Sequence, residues 1–177
     1  MTSQELFLLI YAVIIIIPLG YMIYLYGVTM FFGAPYVPTD RKKIEEMIKL
    51  SSLKKGDKMV DIGSGDGRIV IAFAKKGIES YGFEINPLLV WLSRRNIKKA
   101  GVEDKAFIHL KDFWKEDFSK FSLVTMYAIP HIMKRLYKKL KKELPKNAQI
   151  ISSVFKFPNL PYSKNIDTLY LYKLKDE

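Results

Sequence analysis

Apolar residues form one unbroken run near the start of this chain and short, alternating blocks through the rest. From Leu6 to Thr39 no residue is charged, and Leu6 to Phe32 is almost wholly apolar. As a helix this run reaches about 40 Å, where a membrane span needs roughly 20 residues. A cleaved signal peptide would start with basic residues and hold a shorter apolar core, whereas this start carries Glu5 and no Lys or Arg. A buried core helix of this length would need more protein to cover it than the chain supplies. The run therefore predicts a single membrane anchor over residues 1–34. Pro18 and Gly20 predict a kink near its middle, and Tyr24 and Tyr26 suit an interface belt.

Beyond the anchor the pattern changes to blocks of period two and period 3.6. The linker from Gly33 to Thr39 carries Pro35 and Pro38, which hold it extended. Thr39 or Asp40 caps a helix with the apolar stripe Ile44, Met47, Ile48 and Leu53. A strand through Met59 and Val60 follows, then a helix from Arg68 to the Lys75–Gly77 stop. Ser80 to Ile85 reads as the second strand. Asn86-Pro87 starts the next helix, with Leu88, Leu89, Leu92 and Ile97 on its apolar side and Gly101 as its stop. Strands follow at Ala106–Leu110 and Leu123–Ile129. His131 to Leu144 reads as a helix burying Met133, Leu136, Tyr137, Leu140 and Leu144. Gln149–Phe157 is the fifth strand, Pro158–Lys164 a loop, and Thr168–Leu174 the last strand. Strands separated by helices predict an α/β domain over residues 35–177, with a doubly wound, mostly parallel sheet and its ligand at the carboxyl ends of the strands. The short tail leaves no room for both a further helix and a further strand, which predicts a trimmed sheet.

Charge adds a partner class. The chain has 177 residues and a net charge of +11, and all 29 Lys and Arg follow the apolar run. Such a surplus favours nucleic acid or the anionic face of a membrane, and the span favours the membrane. Arg41, Lys42 and Lys43 follow the anchor and no cation precedes it, so the positive-inside rule puts the domain in the cytoplasm. Most lysines of the His131–Leu144 helix read as a solvated face, and the sharper reading is a patch held against anionic lipid. There is no cysteine, which excludes disulfides, thiolate metal sites and cysteine nucleophiles. His109 and His131 stand apart. A general-base role for His131 competes with the commoner structural role of a histidine at a helix start.

The chemistry centres on Asp61-Ile62-Gly63-Ser64-Gly65-Asp66-Gly67. Three glycines at every second position permit a sharp turn and close approach of a ligand to the backbone. A dinucleotide fingerprint would need its last glycine where Arg68 stands. Glu84 ends the second strand, where a carboxylate can accept both ribose hydroxyls of a nucleoside. Asp112 follows the third strand, where it can accept from an adenine amine, and Phe113 or Trp114 can cover the ring. The fourth strand ends at Tyr127-Ala128-Ile129-Pro130, which lacks the Asn/Asp-Pro-Pro-aromatic signature of DNA adenine methylation.

The Asp-x-Gly-x-Gly-x-Gly loop resembles the first motif of class I S-adenosylmethionine (SAM) methyltransferases, with their Rossmann-like fold. That resemblance implies that Gly63, Ser64, Gly65, Asp66 and Gly67 cradle the methionine end of SAM. It also implies that Asp61 serves its ammonium, with Glu84, Asn86, Asp112 and Phe113 completing the cofactor site. Four segments narrow the likeness: Pro35-Tyr36-Val37-Pro38-Thr39, the glycine loop through Arg68-Ile69, Gly82-Phe83-Glu84-Ile85-Asn86 and Val124-Thr125-Met126-Tyr127. Together they are similar to small protein-lysine methyltransferases. These are the membrane-anchored mitochondrial enzymes acting on the c-ring protein of ATP synthase and on the adenine nucleotide translocator, and compact archaeal relatives. This implies that Tyr36 and Thr39 line the cofactor or lysine channel. Tyr127 is the second candidate for the channel wall beside Tyr36. The expected activity is methyl transfer from SAM to a lysine ε-amine of a protein. The alternatives are methylation of a membrane-soluble quinone or lipid, a non-catalytic SAM-binding membrane protein, and RNA methylation.

Overall fold

The blocks of hydrophobicity become elements whose ends are set by local chemistry. In a computed structural model, which describes residues 1–32 and 37–174, the chain divides into two units, 1–35 and 36–177. The first unit is helix α1, Ser3–Phe32. A reciprocal cap starts it: Thr2 N–H donates to Glu5 Oε2 at 2.8 Å, and Glu5 N–H donates to Thr2 Oγ1 at 3.2 Å. The helix runs through Pro18 without a break in its assignment. Its Ser3–Tyr24 stretch has a mean hydropathy of 2.7, long and apolar enough to cross a membrane by length and composition.

In the second unit, helix α2 (Arg41–Leu50) is capped by Asp40, whose carboxylate accepts from Lys43 N–H at 2.8 Å. Of the two candidate caps, Asp40 has the role because its side chain reaches the third residue of the helix. Strand β1 (Lys58–Ile62), helix α3 (Arg68–Ala74), β2 (Glu79–Glu84), α4 (Pro87–Ala100) and β3 (Ala106–Leu110) follow. A single 3-10 turn, Phe113–Lys115, leads to β4 (Leu123–Met126), α5 (Pro130–Glu143), β5 (Gln149–Ser153), β6 (Lys164–Ile166) and β7 (Leu169–Lys173).

The strand order is β3-β2-β1-β4-β5-β7-β6. The first five strands are parallel, and β7 and β6 are antiparallel additions. This is the Rossmann-like, mostly parallel class I methyltransferase fold. The trimming predicted from the short tail falls on helices and on β6, which has three residues, while the sheet keeps seven strands. β6 falls at the end of the stretch that reads as loop, because three largely exposed residues carry no alternation.

Core residues cover both faces of the sheet. Val60, Val124 and Ile150 pack with Leu136 and Leu140 of α5. Met59, Leu123 and Ile151 pack with Met47 of α2 and Phe73 of α3. At the β3 side, Val90 and Ile97 of α4 meet Val70 and Ile108. No long helix follows β3, and Phe118 and Phe121, fully buried, fill that end of the α5 face.

Helix α4 departs from the sequence reading. Its buried face is Val90, Ser93 and Ile97, while Leu88 points into solvent. The reason is a close approach: a Cβ on Gly67 would sit 3.0 Å from Ser93 Cβ. A small residue must face the glycine loop, and Ser93 sets the rotation of the helix. Strands β4 and β5 are also shorter than expected, and β5 stops where Val154 takes φ 71°.

Candidate cofactor and acceptor site

The carboxyl ends of β1, β2 and β4 lie side by side because the sheet is parallel there. The register sets Asp61 opposite Gly82 on one side and Thr125 on the other. Asp61 is 3% exposed, and Thr125 Oγ1–H donates to its Oδ1 at 2.7 Å. Burial pushes the Asp61 carboxyl from 3.8 up to about 8; the Thr125 hydroxyl opposes this, and Glu84 and Asp66 add to it.

The loop that follows turns through three left-handed glycines, Gly63 (φ 72°), Gly65 (φ 55°) and Gly67 (φ 81°). Gly63 and Ser64 N–H groups donate to the Phe83 carbonyl at 2.9 and 3.2 Å, fastening the loop to β2. A Cβ placed on Gly63 would meet nothing within 4 Å, so this side of the loop is open to a ligand. Glu84 is the second fastening: its Oε2 accepts from Gly65 N–H at 2.9 Å, and its Oε1 accepts from Ile85 and Asn86 N–H, each at 2.8 Å. Ser64 turns its side chain inward against Gly82, and its buried hydroxyl has no hydrogen-bond partner.

Asp66 is braced to Arg68, whose guanidinium reaches the Asp66 carboxylate from Nη2 at 2.7 Å and from Nε at 2.9 Å. Arg68 Nη1 also donates to the Thr39 carbonyl at 2.9 Å, and Asn96 Nδ2 donates to the Asp66 carbonyl at 3.0 Å. Arg68 thus ties the loop to the segment before α2, and Thr39 enters the site through its main chain.

Asp61, Asp66 and Glu84 ring one open, left-handed loop. Three carboxylates there repel a phosphate and favour a cation. A buried acid held neutral by its surroundings, beside an open backbone cradle, fits the ammonium and sulfonium of SAM. The residues present therefore suit that cofactor on charge and on space.

Other candidates have local partners. Asn86 caps α4, its Oδ1 accepting from Leu88 N–H at 3.0 Å and Leu89 N–H at 3.5 Å. Asp112 caps the 3-10 turn, accepting from Trp114 N–H at 3.0 Å. Phe113 is buried in the α5-face core and packs on Trp114, with ring centres 4.8 Å apart. Trp114 also carries the Arg135 guanidinium 4.1 Å from its ring centre. His131 begins α5 and is exposed.

Tyr127 lies just past the end of β4, half-buried, edge-on to Phe155 with ring centres 5.9 Å apart. Phe155 reaches it because Val154 reverses the chain in the left-handed region, where its N–H donates to the Thr168 carbonyl at 2.7 Å. A β-branched residue at positive φ is an outlier that flanking structure must hold. Nothing in the local sequence signals it, so Phe155 reads as strand there. Thr125 and Gly82 are two further site residues without a sequence signal of their own. Thr125 stands within a quoted motif that gives it no role, and Gly82 looks like an ordinary strand residue. Tyr36 lies outside the described residues.

Comparison with known proteins supplies the context for this geometry. The family model described as the ANTKMT methyltransferase domain matches residues 61–164. The human lysine N-methyltransferase named for the c-ring protein of ATP synthase is 43% identical over 142 residues, covering 78% of this chain and 60% of that protein. The chain thus spans about three fifths of that relative's length. A protein-lysine N-methyltransferase of Saccharolobus islandicus (strain REY15A) is 35% identical over 123 residues, covering 68% of this chain and 76% of that protein. Among solved structures, an RNA methyltransferase from Salinibacter ruber in complex with S-adenosyl-L-homocysteine is similar, with a TM-score of 0.77 and 32% identity. That match covers 80% of this chain and 95% of the other.

Proposed function

The chain belongs to the ANTKMT methyltransferase family, and from that premise we propose that it is a membrane-anchored, SAM-dependent methyltransferase acting on a lysine ε-amine of a protein. The observation that carries the reading is the buried Asp61–Thr125 pair beside the open glycine loop. Asp61 receives the ammonium of the cofactor, and Thr125 holds the carboxylate in one orientation. Gly63, Gly65 and Gly67 give the backbone its approach, Ser64 shapes the loop by packing against Gly82, and Asp66 with Arg68 holds Thr39 against it. Glu84 fastens the loop and takes the ribose hydroxyls; Asn86, Asp112 and Phe113 shape the far end of the pocket.

When bound, SAM supplies an electrophilic methyl group on a sulfonium. The remaining work is positioning and desolvation by the chain's own residues. A lysine ammonium, with a solution pKa of about 10.4, must lose its proton before it can attack. An aromatic wall favours the neutral amine by excluding water, and Tyr127, with Tyr36 and Phe155, forms that wall. No dedicated base is required.

The proposed boundaries are an anchor over 1–34 and a catalytic domain over 35–177, with the domain on the cytoplasmic face by the Arg41–Lys43 charge step. The human relative is named for a protein component of ATP synthase, which supports a protein acceptor. RNA methylation is the second reading, supported by the name of the Salinibacter ruber protein and by the net charge of +11.

The test uses the full chain in detergent with methyl-labelled SAM and a lysate that retains membranes. Label in protein, released as methyl-lysine on hydrolysis, supports the proposal. Label in RNA supports the second reading, and label confined to the lipid extract retires both.

A further inference from the structure

Helix α4 carries an apolar stripe that the fold does not use. Leu88 is 60% exposed and Trp91 61% exposed, one turn apart on the same side of the helix. Leu110, at the carboxyl end of edge strand β3, is 52% exposed. These side chains are neighbours. Arg94, one turn beyond Trp91, donates from Nε and Nη2 to the Ile108 carbonyl at 3.3 and 3.0 Å. This bond fixes the helix against β3, and Leu110 projects from the same side of β3 as Ile108. The opposite side of α4, with Val90, Ser93 and Ile97, is spent on the core.

Charge accompanies the stripe. α4 holds Arg94, Arg95, Lys98 and Lys99 and no acidic residue. The Arg95 guanidinium lies 5.7 Å from the Trp91 ring centre. A tryptophan and leucines at one end of a helix with cations behind them match the two requirements of a membrane-interface surface: apolar side chains that enter the headgroup boundary, and positive charge that meets anionic lipid. A protein partner would need acidic complementarity around an apolar centre. The uninterrupted run of cations favours a lipid surface, which presents negative charge over its whole area.

We propose that the Leu88–Trp91–Leu110 surface seats the catalytic domain on an anionic lipid bilayer. Its position has a consequence. The start of α4 and the end of β3 flank the carboxyl ends of the strands, where Glu84 and the glycine loop lie. A domain seated by this surface turns that rim toward the headgroups, so acceptor groups at the membrane surface are favoured. The inference is independent of which acceptor is methylated.

The test uses the full chain with Trp114→Phe, which leaves Trp91 as the sole tryptophan. The chain is reconstituted into phosphatidylcholine–phosphatidylglycerol vesicles, and flotation reports whether it is bound. Trp91 emission is then quenched from the lipid side with brominated acyl chains and from the water side with iodide. The expected result is loss of about half of the emission to brominated lipid, with protection from iodide. Leu88→Asp should reverse that preference, and Arg95→Glu with Lys98→Glu should lower lipid-side quenching about twofold. Full iodide access in a chain that floats overturns the inference while sparing the anchor. Shielding from both quenchers also overturns it, because protein would then cover the stripe. A chain that does not float removes both this surface and the anchor. The difference between the wild-type chain and Trp91→Phe reports the same signal without altering Trp114.

Discussion

Replacing Asp61 with Asn separates what this side chain does for binding from what it does to stability. The unfolded carboxyl titrates near 3.8 and the folded one near 8. The folded state therefore holds the proton more tightly, and stability is greatest below the unfolded value. It falls as pH rises through the interval between the two. At roughly 1.36 kcal/mol per unit, the loss between about pH 5 and about pH 8 is about 3–4 kcal/mol, with the slope levelling off near the folded value. An amide has no such slope. Its own cost, about 1–3 kcal/mol if its buried N–H groups lack partners, is the same at every pH. The difference in unfolding free energy between Asp61→Asn and wild type should therefore move toward the variant by about 3–4 kcal/mol across that window. Urea unfolding of both chains in the same detergent without SAM, followed by tryptophan fluorescence at several pH values, measures it. SAM affinity of the variant should fall below detection by calorimetry. A difference that stays flat from pH 5 to pH 8 would refute the reasoning, because Asp61 would then be ionised in the free protein.

Further expectations follow from the same geometry. At about pH 7 the free protein holds Asp61 mostly protonated, so cation binding should release close to one proton; calorimetry in buffers of different ionisation enthalpy reads this directly, and no buffer dependence would contradict it. Gly82→Ala puts a Cβ 2.5 Å from Ser64 Oγ and 2.6 Å from Ser64 Cβ. The Ser64 backbone is fastened to β2, so the loop must shift; a cost of about 1–3 kcal/mol in thermal unfolding and weaker SAM binding are expected, and an unchanged melting curve would argue against the close packing. Arg68→Lys cannot reach both Asp66 and the Thr39 carbonyl, and should weaken SAM binding by about 1–2 kcal/mol; equilibrium dialysis with labelled SAM reads it, and unchanged binding would remove Arg68 from the site. Phe155→Ala should lower methylation while leaving SAM affinity within about twofold, since it lines the acceptor side; parallel loss of both would move it to the cofactor side.

Much of the cofactor half is readable because its signals are local. Asp61 to Gly67 occupies one strand end and one turn, and the glycines at 63, 65 and 67 take the positive φ that their spacing suggests. Glu84 follows at the end of the next strand, where a parallel sheet must bring it alongside. Asn86 and Gly101 mark the ends of α4 through capping rules that act over a few residues. The acceptor half is less readable. Tyr127 could be named from its place after β4, but its partner Phe155 depends on Val154 standing in a region of φ that no β-branched residue favours.

The sequence by itself determined the order of elements, the apolar N-terminal helix, the parallel βαβ frame and the identity of the acidic glycine loop, because each rests on periodicity, capping or backbone freedom within a short window. Only the tertiary structure decided which side of α4 is buried, that Thr125 partners Asp61 across 64 positions, that Arg68 ties the loop to Thr39, and that Leu88, Trp91 and Leu110 share one exposed surface. Those outcomes depend on how close two distant backbones come. The approach of Gly67 to Ser93 and of Gly82 to Ser64 leaves no space for a larger side chain, and that constraint, rather than hydrophobicity, selects the face each element presents to the site.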